Sequence, residues 1–508
     1  MPARRPLAAL FALMLPLALA WWLLVPPWEA PDGVWHWHFA AHLADGGGLP
    51  RSVAEARDAP WRQEGSQPPL YYALVALAVR PFDRSDGATA LRDNPHAAVG
   101  VASEGGNVNR MVHPPRERFP WRGVARAARV AGLVSLLLAM IAVAFTHAAA
   151  RRLLPDRPDV ALAAAATVGL SPAVLFFGTQ ISNDIAALAA GAAVLWAIAR
   201  VVEGGATVRG AATLGVACGV AVLCKLNGVF LWPVAGIAIL VAATPNVVPP
   251  NEPSNSSGQR TSPSPSIAGG GWGVRASLAS AMLPVLSFTV ALALVAAWWP
   301  VRNWRLFGDP TGLPLMWAAM PRRPSSPSLG ELAGQMAGVW KSMWAVFGWY
   351  NLPAPGGVFL GLAAANAVGL AGALWAVASE RRATSAARGR RRVAETVALC
   401  AAIVASLLVG IVLWARVQFP QGRLLFPAVP ALALLLAIGW GEVGVRTIGE
   451  RRWPWLVAAP GRRCRRGCWR RSWRRRMGRR RSRGRAVGGA KGTWTAGAGR
   501  GVASFEGG

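Results

Sequence analysis

Between residues 6 and 440 the chain carries one apolar run after another, most of them near the roughly 20 residues that a helix needs to cross a bilayer, with arginine-bearing loops between them. Hydrocarbon offers the backbone no hydrogen-bond partner, so a run of this kind folds as a helix. Only 15% of the 508 residues are charged and 53% are hydrophobic, with a positive mean hydropathy; soluble domains carry about 25% charge. The expected fold class is an all-α polytopic membrane protein.

The net charge of +31 suggests a nucleic-acid partner until its placement is considered. Residues 461–508 hold 16 Lys and Arg against one acid, Glu506, and the remaining excess is mostly loop arginine, so no nucleic-acid partner is expected. The basic low-complexity tail, 446–508, reads either as a polybasic anchor for anionic lipid or as a frameshifted end. Of the five cysteines, Cys218, Cys224 and Cys400 sit inside apolar runs as small buried side chains, and Cys464 and Cys468 stand among arginines, which argues against a zinc site or a disulfide framework.

Residues 6–25 form a first, retained crossing after Arg4 and Arg5. The next apolar stretch, 69–79, lies between Pro68-Pro69 and Arg80-Pro81 and is too short to span about 30 Å of hydrocarbon. It reads as a juxtamembrane helix, which makes 26–129 one long external loop. Crossings then alternate over 130–149, 160–177 and the run after Asp184; two short helices meet at Lys225-Leu226-Asn227-Gly228, 245–275 is a flexible cytoplasmic linker, and 277–299 leads to an external loop, 301–352, with an interfacial helix over 336–352. The runs 356–379, 393–415 and 424–440 complete about ten crossings. This path leaves the short arginine-rich loops inside, as the positive-inside rule asks.

The same path brings scattered polar residues to the external face. The stretch from Pro26 to Pro50 contributes Glu29, Asp32 and His36 beside Trp28, Trp35 and Trp37, packed against the membrane surface; Glu64, Gln67, Asn183, Asp184, Arg302, Asn303, Asp309, Gln421 and Arg423 follow, and Lys225 can snorkel to them. Ionisable groups at membrane depth are costly and point to function. Each also has a plainer reading. Asp32 can cap a helix beginning near Val34, Asn183-Asp184 can start another, and Gly308-Asp309-Pro310 is turn chemistry. Arg423, a cation directly before an apolar helix on the outer side, calls for a phosphate or carboxylate partner.

At PPWEAPDGVWHWH, EGSQPPLYY, SPAVLFFGTQISND and LCKLNGVFLWP the chain resembles the multi-spanning glycosyltransferases of the GT-C superfamily, nearest to bacterial protein-mannosyltransferase-like and aminoarabinose-transferase-like proteins. WWPVRNWRLFGDPTG and VQFPQGRLLFP resemble a less characterised bacterial branch, and the resemblance covers residues 1–445. It implies a GT-C-like bundle in the bacterial plasma membrane and inverting transfer of a sugar from a polyprenyl-phosphate donor to an acceptor hydroxyl on the extracytoplasmic side. Asp32 takes the position of the catalytic carboxylate. Glu29, His36, Glu64 and Asp184 are candidates for an acceptor or metal site, Lys225, Arg302 and Arg423 for the donor phosphate, and Gln67, Asn183, Asn303 and Gln421 for support. A divalent metal is compatible with these groups but not specified by them. Relatives commonly carry an acidic pair followed by His; here the second acid is Gly33. The competing readings are a lipid or glycan transporter, whose polar groups belong in broken helices near the midplane, and an inactive lipid- or glycan-binding relative. Sugar, acceptor and oligomeric state leave no mark in the sequence.

Overall fold

The computed structural model describes residues 4–103, 108–243, 272–380 and 387–449. Helix α1 (Arg4–Leu24) leads through the short helices α2 (Gly33–Ala44), α3 (Val53–Asp58), α4 (Leu70–Val79) and α5 (Gly87–Ala90) to α6 (Gly123–Leu153). Next come α7 (Pro158–Gly169), α8 (Pro172–Phe177), α9 (Asn183–Gly204), α10 (Val208–Cys224) and α11 (Trp232–Ala243). The rest is α12 (Trp272–Ala296), α13 (Trp298–Phe307), α14 (Leu313–Ala319), α15 (Leu329–Trp344), the hairpin β1 (Val346–Phe347) and β2 (Leu352–Pro353), α16 (Gly356–Glu380), α17 (Ala387–Ala415) and α18 (Val429–Ile448). Three 3-10 turns matter for the site: Arg62–Ser66, Leu226–Leu231 and Gly422–Ala428.

This is an all-α, multi-pass membrane protein. Among the described residues seven helical segments are long and apolar enough to cross a bilayer, and α12 with α13, bent by 54°, makes an eighth if the pair is one span. The expected ten would also require α7 and α10, which are shorter. α4, the expected juxtamembrane helix, has 10 residues, about 15 Å at 1.5 Å per residue.

Local chemistry sets the boundaries. Ser182 caps α9 by accepting from the Asp184 N–H, Thr207 caps α10 through Gly210, and Ser328 with Glu331 forms a capping box on α15. Arg129, buried in α6, donates to the Trp22 and Val25 carbonyls (3.0 Å to the latter), closing the free C-terminal end of α1. α16 and α18 cross on glycine: a Cβ on Gly439 would lie 1.7 Å from the Gly369 carbonyl oxygen, and one on Gly372 would lie 2.3 Å from that of Gly439. A third close approach seats the Gly422–Ala428 turn on α9, where a Cβ on Gly191 would meet the Pro427 oxygen at 2.1 Å.

Several expectations need correction. The crossing read over 160–177 breaks between α7 and α8, because Pro172 disfavours helical backbone at the residue before it and has no N–H to continue the ladder. The interfacial helix expected over 336–352 runs instead from Leu329 to Trp344; a tight turn then carries the chain into the hairpin, with Gly348 in left-handed backbone and Asn351 Oδ1 accepting from the Trp349 N–H at 3.0 Å. Trp28 and Trp37 do not face a membrane surface: they are 1% and 2% exposed and pack on each other within the protein. Most of the 245–275 linker lies outside the described residues, and its last four residues begin α12. Cys464, Cys468 and the basic tail beyond Gly449 also lie outside them.

Candidate active site

Four charged side chains from four parts of the chain alternate in sign at one end of the bundle. Arg423, in the turn before α18, donates through Nη2 to Asp32 Oδ2 across 391 positions, through Nη1 to Asp184 Oδ2 at 3.4 Å, and to the Pro31 carbonyl at 3.2 Å. Lys225, at the end of α10, donates to Asp184 Oδ1 and to Asn183 Oδ1, the latter at 3.3 Å. Asp184 is fully buried in the first turn of α9, where the helix N-terminus also favours an anion. Gln421 Oε1 accepts from Arg423 Nε at 2.8 Å, and Gln63 Nε2 donates to the second oxygen of Asp32 at 3.3 Å.

Asp32 sits at the N-cap of α2, yet its side chain makes no cap hydrogen bond and its backbone is left-handed, φ 61. Trp28 is also left-handed, φ 67. Such conformations are costly for non-glycine residues and persist where the surroundings over-determine them. Between the two, Glu29 is pinned by the Arg110 and Met111 N–H groups at 2.7 and 2.9 Å and by His113 Nε2 at 2.9 Å. The loop is thereby fixed with the Asp32 carboxylate directed at Arg423. A Cβ on Gly33 would meet the Trp28 backbone at 3.3 Å, so a side chain at the position of the missing second acid would require the Trp28 main chain to give by a few tenths of an ångström.

A second cluster adjoins the first. Tyr72 donates to Glu64 Oε2 at 2.6 Å, and His36 Nδ1 lies 3.0 Å from that oxygen and 2.9 Å from the Tyr72 hydroxyl. Asn183 Nδ2 donates to the Tyr72 oxygen at 3.3 Å and to Gln67 Oε1 at 3.5 Å, linking the clusters. Burial works to raise the pKa of Glu64, but His36, Tyr72 and Lys225 more than offset it and hold the carboxyl below its usual value. The buried His36 Nε2 has no hydrogen-bond partner among the described residues. One donor atom from each of Asp32, His36 and Glu64 lies within 4.8 Å of the others. A mixed nitrogen and oxygen set of this kind suits a divalent cation.

The structure therefore brings together Asp32, His36, Glu64, Gln67, Asn183, Asp184, Lys225, Gln421 and Arg423. It does not bring Glu29, Arg302 or Asn303 into this network. Arg302 donates to the Pro50 carbonyl and, at 3.0 Å, to Asn303 Oδ1. Asp309 accepts from the Thr311 N–H at 2.7 Å and from its hydroxyl, as turn chemistry. Tyr72 and Gln63 were not among the expected residues, although both stand beside Glu64 or in the quoted EGSQPPLYY stretch.

Residues 125–248, which include Asn183, Asp184 and Lys225, match the family model described as dolichyl-phosphate-mannose-protein mannosyltransferase. Among solved structures, ArnT from Cupriavidus metallidurans bound to undecaprenyl phosphate aligns at 13% identity over 88% of this chain and 63% of that one, with a TM-score of 0.46. The oligosaccharyltransferase AglB from Archaeoglobus fulgidus, in complex with an inhibitory peptide and a dolichol-phosphate, aligns at 12% identity over 92% of this chain and 54% of that one, with a TM-score of 0.38. The chain thus spans less than two thirds of the length of either. No curated protein matches it.

Proposed function

We propose that this chain, whose resemblance to the GT-C membrane glycosyltransferases the family match bears out, transfers a sugar from a polyprenyl-phosphate donor to an acceptor hydroxyl with inversion. The observation that carries the reading is the direct contact of Asp32 with Arg423, backed by Asp184 and Lys225: a base and two cations, drawn from distant parts of the chain, share one site.

Each part has a task. A sugar or lipid hydroxyl is a poor nucleophile, and Asp32 accepts its proton as the oxygen bonds to the anomeric carbon. The bond from that carbon to the phosphate oxygen breaks on the opposite face, and the electron pair leaves with the polyprenyl phosphate. Arg423 and Lys225 stabilise the charge that develops there. Arg423 moves from Asp32 to the phosphate, which frees the carboxylate to act. Asp184 stays paired with Lys225 and with Nη1 of Arg423 as Nη2 turns to the phosphate, and Glu64, Tyr72 and His36 form the adjoining cluster. A divalent cation held by Asp32, His36 and Glu64 would supply Lewis-acid chemistry at this site.

The reading places the site on the extracytoplasmic side of a bacterial plasma membrane. Arg151, Arg152, Arg157, Arg200, Arg209 and Arg446 lie toward the other ends of the same helices, the side that the positive-inside rule assigns to the cytoplasm.

Membranes carrying the full chain, given radiolabelled polyprenyl-phosphate sugars and native acceptors, should show transfer that Asp32→Asn lowers about 10²–10⁴-fold without loss of the folded protein. Equal transfer by the two proteins would overturn the role of Asp32. A second reading, an inactive lipid-binding relative, rests on Gly33; undecaprenyl phosphate bound by wild type, with no sugar transferred from any donor offered, would favour it.

A further inference from the structure

The hairpin turn between β1 and β2 contains a feature that the scheme above does not use. Tyr350 lies in left-handed backbone, φ 59, an unfavourable place for a bulky side chain. The turn around it is tied from several directions. Trp349 Nε1 donates to the Trp28 carbonyl at 3.1 Å, the Gly100 N–H donates to the Trp349 carbonyl at 2.8 Å, and Asn351 Nδ2 donates to the Val108 carbonyl at 2.8 Å. The Arg110 guanidinium covers the Trp349 ring at 5.5 Å and Trp35 meets its edge at 5.1 Å. Enough contacts converge to hold a strained residue, and strain held in this way points to function.

In contrast to these anchored groups, the Tyr350 hydroxyl is buried and has no hydrogen-bond partner among the described residues. Its ring packs against Arg423, whose guanidinium carbon lies 5.9 Å from the ring centroid. A guanidinium offers donors only, so it cannot take the phenolic proton. Burial pushes the Tyr350 pKa upward, so the group keeps that proton and lacks an acceptor. An anionic oxygen that Arg423 can also bind would supply one.

We propose that Tyr350 is a donor-binding residue whose hydroxyl donates to a phosphate oxygen of the lipid-linked substrate, beside Arg423. This rests on the glycosyltransferase reading of the same site. The anchored turn holds the hydroxyl in place before substrate arrives, so little side-chain ordering is needed on binding.

The test uses the full chain in nanodiscs, with undecaprenyl phosphate as the probe. Tyr350→Phe keeps the ring and should weaken binding about ten- to a hundredfold while leaving the melting temperature unchanged. Tyr350→Asn, a residue type that enters left-handed backbone more readily but lacks the ring, should bind as weakly. Inorganic phosphate should displace the lipid from both proteins, with an inhibition constant that rises in Tyr350→Phe by the same factor as the lipid's dissociation constant, because the hydroxyl is assigned to the phosphate and not to the polyprenyl chain. Equal binding of the lipid by wild type and Tyr350→Phe, or an inhibition constant for inorganic phosphate that is the same in the two, would overturn this proposal and leave the glycosyltransferase reading standing. Absence of undecaprenyl-phosphate binding by wild type would overturn both.

Discussion

His113 is held between two carboxylates, Nε2 2.9 Å from Glu29 and Nδ1 2.7 Å from Glu117. Burial opposes its charge, but Glu117 and Glu29 outweigh that and raise its pKa to about 9 from an ordinary 6.5. The folded value lies above the unfolded one, so the stability that His113 contributes is complete below pH 6.5 and is lost as pH rises through about 9. The melting temperature of wild type should fall over that window, and His113→Gln should be less stable at neutral pH and lack this component of the fall; equal slopes in the two proteins would contradict the assignment. Asp32, Asp184, Lys225 and Arg423 were legible in the sequence because charge is rare in an apolar chain and each instance needs a reason. Glu29 was equally visible as an acid, but its partners are two backbone N–H groups and a histidine more than 80 positions away. Tyr72 and Tyr350 escaped notice because a tyrosine near an apolar run first reads as an interfacial side chain; their importance lies in partners, or the lack of one, which only the fold reveals.

Among the elements, apolar runs and proline punctuation predicted most of the helices, since period and length are local properties. What could not be read was where helices break or turn within a run and how closely they pack. Nothing in the sequence distinguishes the glycines of the α16–α18 crossing from Gly361, whose Cβ position is open. The distinction is testable. Gly439→Ala should destabilise the detergent-solubilised protein by about 1–3 kcal/mol, the usual cost of overpacking, and Gly439→Leu should yield no folded protein. Gly361→Ala, which meets no neighbour and gains helix propensity, should melt no lower than wild type; an equal destabilisation by alanine at 361 and 439 would count against the close crossing.

For the whole molecule, the assumption that α4 does not cross decides which side every later loop occupies. Two exposed positions report on the outcome. Val101 lies in the region between α1 and α6 and is 65% exposed, and Val208, 42% exposed, begins α10 at the end of the bundle away from the site. With Cys464 and Cys468 replaced by serine, and Cys218, Cys224 and Cys400 buried, Val101→Cys should react with an impermeant maleimide from outside intact cells and Val208→Cys only after lysis. The reverse pattern, Val208→Cys labelled from outside and Val101→Cys only after lysis, would refute the path.

The alternating ring of charges also has a history within synthesis. Asp184 and Lys225 are separated by 41 positions and can pair once α10 has been made, whereas Asp32 waits 391 positions for Arg423. The first loop therefore emerges long before the residue that neutralises its carboxylate, and the ring closes only as the final helix of the described bundle enters. A ribosome that stops before that point leaves spans already in the membrane but no site. On the proposed reading the site is completed in a single late step, and a product truncated before Arg423 is inert because the group that closes the ring is never made.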